Sequence, residues 1–93
     1  MTTDQIRVGV AGLSIGAWHV QAFQGNPGSR VTALCDLNTN LLNEIGDKHS
    51  VASRFTDWQE MITRDDVDAV SICLPNFLHR PVAVAAMRAG KHV

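Results

Sequence analysis

Three short stretches of this sequence carry residue types that could grip a phosphorylated ligand. The first is Gly12-Leu13-Ser14-Ile15-Gly16, which follows the β-branched run Ile6-Arg7-Val8-Gly9-Val10-Ala11. A strand that passes through glycines into a helix makes a tight turn and lets a ligand approach the backbone closely. The helix start adds free N–H groups and partial positive charge, which suit a pyrophosphate. Read as G-x-G-x-x-G/A, the stretch supplies Gly12, Ser14 and Ala17, with serine in the middle place. Read by its glycines, it supplies Gly9, Gly12 and Gly16, with one residue too many in each gap. A plain strand-to-helix turn without a ligand has the same outline.

The second stretch ends in Asp36, 24 positions after Gly12 and directly after Val31-Thr32-Ala33-Leu34-Cys35. An acid closing the second strand is the acceptor that a ribose 2′-hydroxyl requires; a surface aspartate that starts a helix would look the same. No arginine follows in Leu37-Asn38-Thr39, so a 2′-phosphate would meet negative charge without a cation. NAD is therefore favoured over NADP. The third stretch is Leu74-Pro75-Asn76-Phe77-Leu78-His79. In isolation Pro75-Asn76-Phe77 is a good turn and no more; its meaning depends on where the fold puts it.

The elements that must position these residues follow from periodicity. Ile6 to Ala11 suits a strand covered on both faces. Ala17, Val20 and Phe23 recur at helical spacing, and Gly25-Asn26-Pro27-Gly28 stops that helix. Val31 to Cys35 is a second strand. Asn38 can cap a helix whose Leu41, Leu42 and Ile45 share one face. A weak third strand is expected at Ala52 to Phe55. Asp57-Trp58-Gln59-Glu60 has capping-box spacing and opens a short helix with Trp58, Met61 and Ile62 inward. Asp65 and Asp66 mark a turn. Ala69 to Leu74 is the fourth strand, closed by Pro75-Asn76. Pro81 suits the first turn of a last helix, whose small face is Val82, Ala85, Ala86 and Ala89 and whose C-terminal cap is Gly90. Lys91-His92-Val93 reads as the start of a fifth strand.

Strands alternating with helices imply right-handed crossovers and a parallel sheet. The expected fold class is α/β: a Rossmann-like doubly wound sheet of order 3-2-1-4 with the start of strand 5. In that order strands one and four flank the point where the connections reverse direction, and ligands bind there. Asn76 and His79 would then share a crevice with the glycine turn.

Composition narrows the function. Ninety-three residues, 45% hydrophobic and 18% charged, hold one small core and not two. A net charge of −1 leaves no basic footprint for nucleic acid. No apolar run approaches the ~20 residues that span a bilayer, and Met1-Thr2-Thr3-Asp4-Gln5 lacks a signal-peptide pattern. The cytoplasm is the expected compartment, with no membrane partner. The histidines His19, His49, His79 and His92 never fall at helical metal-pair spacing, so no metal site is expected. Cys35 and Cys73 are expected as two free thiols, since strand one would separate their strands by more than a disulfide spans.

Taken together, Val8-Gly9-Val10-Ala11-Gly12-Leu13, His19, Cys35-Asp36, Pro75-Asn76-x-x-His79 and Ala89-Gly90-Lys91-His92-Val93 resemble the N-terminal domain of the Gfo/Idh/MocA family, the glucose–fructose oxidoreductase and inositol dehydrogenase relatives. The resemblance covers nearly the whole chain. It implies an NAD(P) site lined by Gly12, Leu13, Ser14, Ile15, Gly16, Asp36, Leu74, Pro75, Asn76 and His79. Two departures stand out: Ser14 occupies a usual glycine position, and the turn is one residue short relative to His19. The resemblance also places an E-K-P motif, with a catalytic lysine, just past Val93, and a substrate domain beyond it. Residues 1–93 are thus expected to be an incomplete dinucleotide-binding domain with no catalytic residue of its own. The intact protein would be a homo-oligomeric oxidoreductase acting on a sugar, polyol or related small hydroxyl compound. The alternative is a non-catalytic dinucleotide-sensing or regulatory module.

Overall fold

A computed structural model describes residues 5–93; the polar opening at 1–4 lies outside the described residues. Eight elements alternate: β1 (Ile6–Ala11), α1 (Gly16–Gln24), β2 (Ser29–Cys35), α2 (Thr39–His49), β3 (Ser53–Phe55), α3 (Trp58–Ile62), β4 (Ala69–Ile72) and α4 (Asn76–Arg88). The four strands form one parallel sheet in the order β3-β2-β1-β4, the expected arrangement. The expected fifth strand begins at the free side of β4: His92 bridges Ala69 in parallel, and its carbonyl accepts the Val70 N–H at 2.8 Å.

β1 is central, and Val8, Gly9, Val10 and Ala11 are all buried, which accounts for its nearly unbroken apolar run. Val8 and Val10 face a core shared with Leu13 and Val20 and with Leu42 and Ile45 of α2. Ala11 faces the opposite core, with Met61 and Ile62 of α3 and Ala86 of α4. Helices therefore cover both faces of the sheet. A register shift between Val8 and Gly9 leaves Thr32 of β2 unpaired as a bulge. The extra residue changes the alternation, so Val31 and Leu34 share one core while Ala33 and Cys35 enter the other. Thr32 spends its hydroxyl on the Asp66 carbonyl at 2.7 Å.

Local signals explain most boundaries. The Asn38 side chain accepts the Leu41 N–H at the start of α2. Asp57 caps α3 by accepting the Gln59 N–H at 2.9 Å. Such caps are worth about 1 kcal/mol each. The reciprocal half of the capping box, Glu60 back to the Asp57 N–H, is not formed among the described residues. Gly90, at φ +81°, ends α4 as expected.

The start of α4 corrects the sequence expectation. The helix begins at Asn76 with Pro75 as its N-cap, and Pro81 lies inside it rather than in its first turn. The reason is geometric: β4 ends at Ile72 and the Leu78 N–H already bonds the Pro75 carbonyl at 2.9 Å, so the helix is nucleated at the sheet edge. Pro81 removes one internal hydrogen bond in an exposed turn, where the freed carbonyl can be hydrated.

Candidate functional site

In a parallel sheet every loop that follows a strand emerges at the same edge. The β1–α1, β2–α2 and β4–α4 loops therefore meet, and β1 and β4 flank the point where the connections reverse. Topology brings the glycine turn, Asp36 and the Pro75-Asn76 segment to that edge; the turn bonds Asp36 through the Leu13 N–H and lies against Cys73 and Leu74, just ahead of Pro75.

The glycines have separate duties. Gly12 has φ +90°, and a Cβ there would meet the Cys73 carbonyl oxygen at 2.5 Å and the Leu74 nitrogen at 3.0 Å. Only glycine suits that backbone and that approach, so Gly12 makes the tight turn and seats it against the end of β4. Gly16 has an ordinary φ; a Cβ there would lie 3.0 Å from Val10 Cγ1 and 3.4 Å from Cys73 Cβ. It lets the start of α1 pack closely on the sheet, the third-glycine role of a dinucleotide turn. Gly9 belongs to neither job. It lies mid-strand beneath α3, where a Cβ would press on Met61 Sδ at 3.1 Å and Val67 at 3.3 Å. The turn runs Gly12–Ser14–Gly16, taking its first two places from one alignment and its last from the other, one residue shorter than the usual spacing.

Ser14 is exposed and has a negative φ, since Ser50 is the only described non-glycine residue with a positive one. The shortened turn thus does not need glycine in its middle place for backbone reasons. The N–H groups of Ser14, Ile15 and Gly16 have no partner among the described residues. They sit at the N-terminus of α1, where free N–H groups and the helix dipole favour an anion.

Asp36 is half-buried at the end of β2. Its Oδ2 accepts the Leu13 N–H at 2.7 Å and its Oδ1 accepts the Asn38 N–H at 2.8 Å. An ionised carboxylate offers about four lone-pair sites, so two acceptor positions remain for a diol. Leu74 is half-buried, and Pro75 and Asn76 are exposed at the mouth of α4. His79, on the first turn of α4, is exposed and donates from Nε2 to the Leu74 carbonyl oxygen at 2.7 Å. It thereby ties the helix start to the loop after β4. Ile15 and Leu37, in the loops after β1 and β2, and Phe77, on the first turn of α4, are 65%, 85% and 78% exposed. Large apolar side chains left open at one sheet edge mark a binding surface; Ile15 is among the expected site residues, whereas Leu37 and Phe77 were not singled out from sequence.

Free N–H groups at a helix start, a half-exposed carboxylate and an apolar rim match the pyrophosphate, ribose and base of a dinucleotide, so the residues present fit that cofactor. The fold and the site define a dinucleotide-binding domain of the Rossmann type. The chain belongs to the Gfo/Idh/MocA family, described as an oxidoreductase family with an NAD-binding Rossmann fold, which matches residues 6–93. It is 39% identical over 99 aligned positions to the glycosyl hydrolase family 109 protein 2 of Shewanella sp. strain ANA-3, covering 96% of this chain and 22% of that protein. The scyllo-inositol dehydrogenase of Lactobacillus casei, solved with NAD(H) and scyllo-inositol bound, superposes with TM-score 0.92 at 27% identity, covering 97% of this chain and 27% of that one. A variant of a 3-ketoreductase from Actinomadura kijaniata, solved with TDP-benzene and NADP, does so with TM-score 0.87 at 34% identity, covering 97% and 29%. The chain thus spans between a fifth and a third of the length of these relatives.

Among the described residues no helix is long and apolar enough to cross a membrane, and no group of three His, Cys, Asp or Glu could hold a metal. Cys35 and Cys73 are free thiols, as expected. Burial, aided by neighbouring Asp36, pushes the Cys35 thiol up to about 12, which leaves it inert as a nucleophile at neutral pH.

Proposed function

We propose that residues 1–93 are the N-terminal cofactor-binding part of a larger NAD-dependent oxidoreductase that acts on a sugar, polyol or related hydroxyl compound. The observation that carries this is the meeting of the Gly12–Gly16 turn, Asp36 and the Pro75-Asn76 segment at the one sheet edge where a doubly wound fold binds ligands. The Ser14, Ile15 and Gly16 N–H groups would hold the pyrophosphate and Asp36 the adenosine ribose. Leu13, Leu74, Pro75, Asn76 and His79 would shape the crevice on either side. When bound, the nicotinamide supplies hydride transfer at its C4. These ninety-three residues bind and orient it, and the groups that act on substrate belong to other parts of the protein.

The preference for NAD over NADP rests on Asp36 and on the absence of a cation in Leu37-Asn38-Thr39. Calorimetry with both cofactors tests it: NAD should bind more tightly, and Asp36→Ala should narrow the difference. Equal affinities for both cofactors in the native chain and in the variant would overturn the assignment. A glycosidic substrate is the second reading, favoured by 39% identity to the Shewanella glycosyl hydrolase family 109 protein. On this reading the whole protein is a cytoplasmic homo-oligomer, its oligomeric state checked by sedimentation and its compartment by cell fractionation, and these residues alone should turn over no substrate.

A further inference from the structure

Asp36 stands where two loops meet, and its carboxylate is already engaged before any ligand is considered. Gly12 donates its N–H to the Cys35 carbonyl at 2.8 Å, and the next residue, Leu13, donates to Asp36 Oδ2 at 2.7 Å. Two successive N–H groups thus hang the glycine turn on the end of β2. The other oxygen takes the Asn38 N–H, and the Asp36 N–H bonds the Phe55 carbonyl at 3.1 Å, so the carboxylate is itself held in place. The Leu13 side chain is fully buried, which anchors the turn from below. Immediately after it come the three N–H groups without partners.

We propose that Asp36 is a positioning residue for the glycine turn. Through Leu13 it fixes the shape in which Ser14, Ile15 and Gly16 offer their N–H groups, and so couples recognition of a ribose diol to recognition of a pyrophosphate. This rests on the dinucleotide-binding reading and deepens it. A carboxylate suits the task because it accepts only, on two oxygens, and charge-assisted N–H···O⁻ bonds are the stronger kind. An asparagine would turn an NH₂ donor toward one of the two backbone donors.

The sign of one measurement separates this role from simple electrostatics. Removing a negative charge near an anion site would by itself tighten anion binding; loosening the turn weakens it. The test compares the native chain with Asp36→Asn by amide hydrogen exchange and by calorimetry with inorganic pyrophosphate, which has no ribose for Asp36 to hold. Expected are tenfold or faster exchange at Leu13, unchanged protection at Val10 and Leu34 in the strands, and severalfold weaker pyrophosphate binding. Unchanged Leu13 exchange, or pyrophosphate binding equal to or tighter than native, overturns the proposal. Should Asp36→Asn not fold, the native chain decides. Coupling is reciprocal, so saturating pyrophosphate must slow Leu13 exchange, and no slowing overturns the coupling. A native chain that binds NAD but shows none of these effects refutes the clamp alone. One that binds neither NAD nor pyrophosphate refutes the dinucleotide reading, and the coupling with it.

Discussion

Replacing Gly12 by alanine should be the most damaging single methyl addition in the glycine-rich edge. At φ +90° an L-residue is held in a left-handed region, at about 1–2 kcal/mol. The new Cβ would also lie 2.5 Å from the Cys73 carbonyl oxygen and 2.7 Å from its carbon. These are backbone atoms just past the end of β4, the strand next to β1, and they cannot rotate away as a side-chain tip can. Overpacking of that kind costs about 1–3 kcal/mol. The stiffer unfolded chain offsets about 0.4–1 kcal/mol. The net loss is about 1–5 kcal/mol, against a total near 5–14 kcal/mol for a chain of this length. A domain of this size should then lose about 5–25 °C in Tm.

The neighbouring glycines provide the internal control. Gly16→Ala would press on Val10 Cγ1 at 3.0 Å, with no positive φ, and alanine is the better helix former by about 1 kcal/mol. Gly9→Ala would press on the thioether of Met61, a flexible side chain. Both should stay within about 1 kcal/mol of native, a few degrees in Tm. Thermal unfolding followed by circular dichroism on the three variants gives the ranking. A Gly12→Ala chain as stable as Gly16→Ala would show that the close approach of the turn to Cys73 and Leu74 does not limit the fold.

The Arg7 guanidinium, which grips Asp68 through two nitrogens, and the Arg7 backbone N–H hold the Asp68 carboxyl well below the usual carboxylate range. A depressed folded-state value means stabilisation that is present above the ordinary carboxylate value near pH 4 and is lost as pH falls below it. The Tm advantage of the native chain over Asp68→Asn should accordingly shrink from about pH 4 downward, and a constant difference between pH 6 and pH 2 would refute the pairing. At pH 8 the buried Cys35 thiol, with its ionisation pushed up to about 12, should resist maleimide until the chain unfolds; labelling at the rate of a free thiol would contradict its burial. Asp57→Ala should lower stability by about 0.5–2 kcal/mol through the lost cap at α3, read as a Tm drop of a few degrees.

Strand order, the two side-chain caps and the meeting of three loops at one sheet edge were legible because each rests on a short-range rule. A β-branched run, an Asn or Asp before a helix and a glycine after one act on neighbours in sequence, and the crossover rule converts them into topology. What sequence reasoning missed depends on distant partners. Gly9 and Gly12 look alike in the sequence, yet one lies under Met61 and the other against Cys73. The Thr32 bulge is invisible because it is set by pairing between β1 and β2. Pro81 suggested a late start for α4, since a proline in a first turn is locally favourable. The sheet edge at Ile72 and the Pro75 carbonyl bond to Leu78 outweighed it.

Asp36 shows the same limit within the site. Spacing alone marks it as an acid at the end of the second strand, and that suffices to suggest a ribose acceptor. Its bond to the Leu13 N–H spans 23 residues and exists only once β1 and β2 pair, with Ala11 beside Cys35. The pairing leaves the Gly12 and Leu13 N–H groups at the end of β2, where one meets a carbonyl and the other a carboxylate. A turn whose middle glycine is serine can then keep its shape by an acceptor from the next strand instead of by backbone freedom. The departure at Ser14 and the acid at position 36 are on this account two parts of one device. Substituting Ser14 by glycine should therefore change the Leu13 amide less than altering Asp36 does, because the constraint on the turn is the carboxylate and not the residue at its tip.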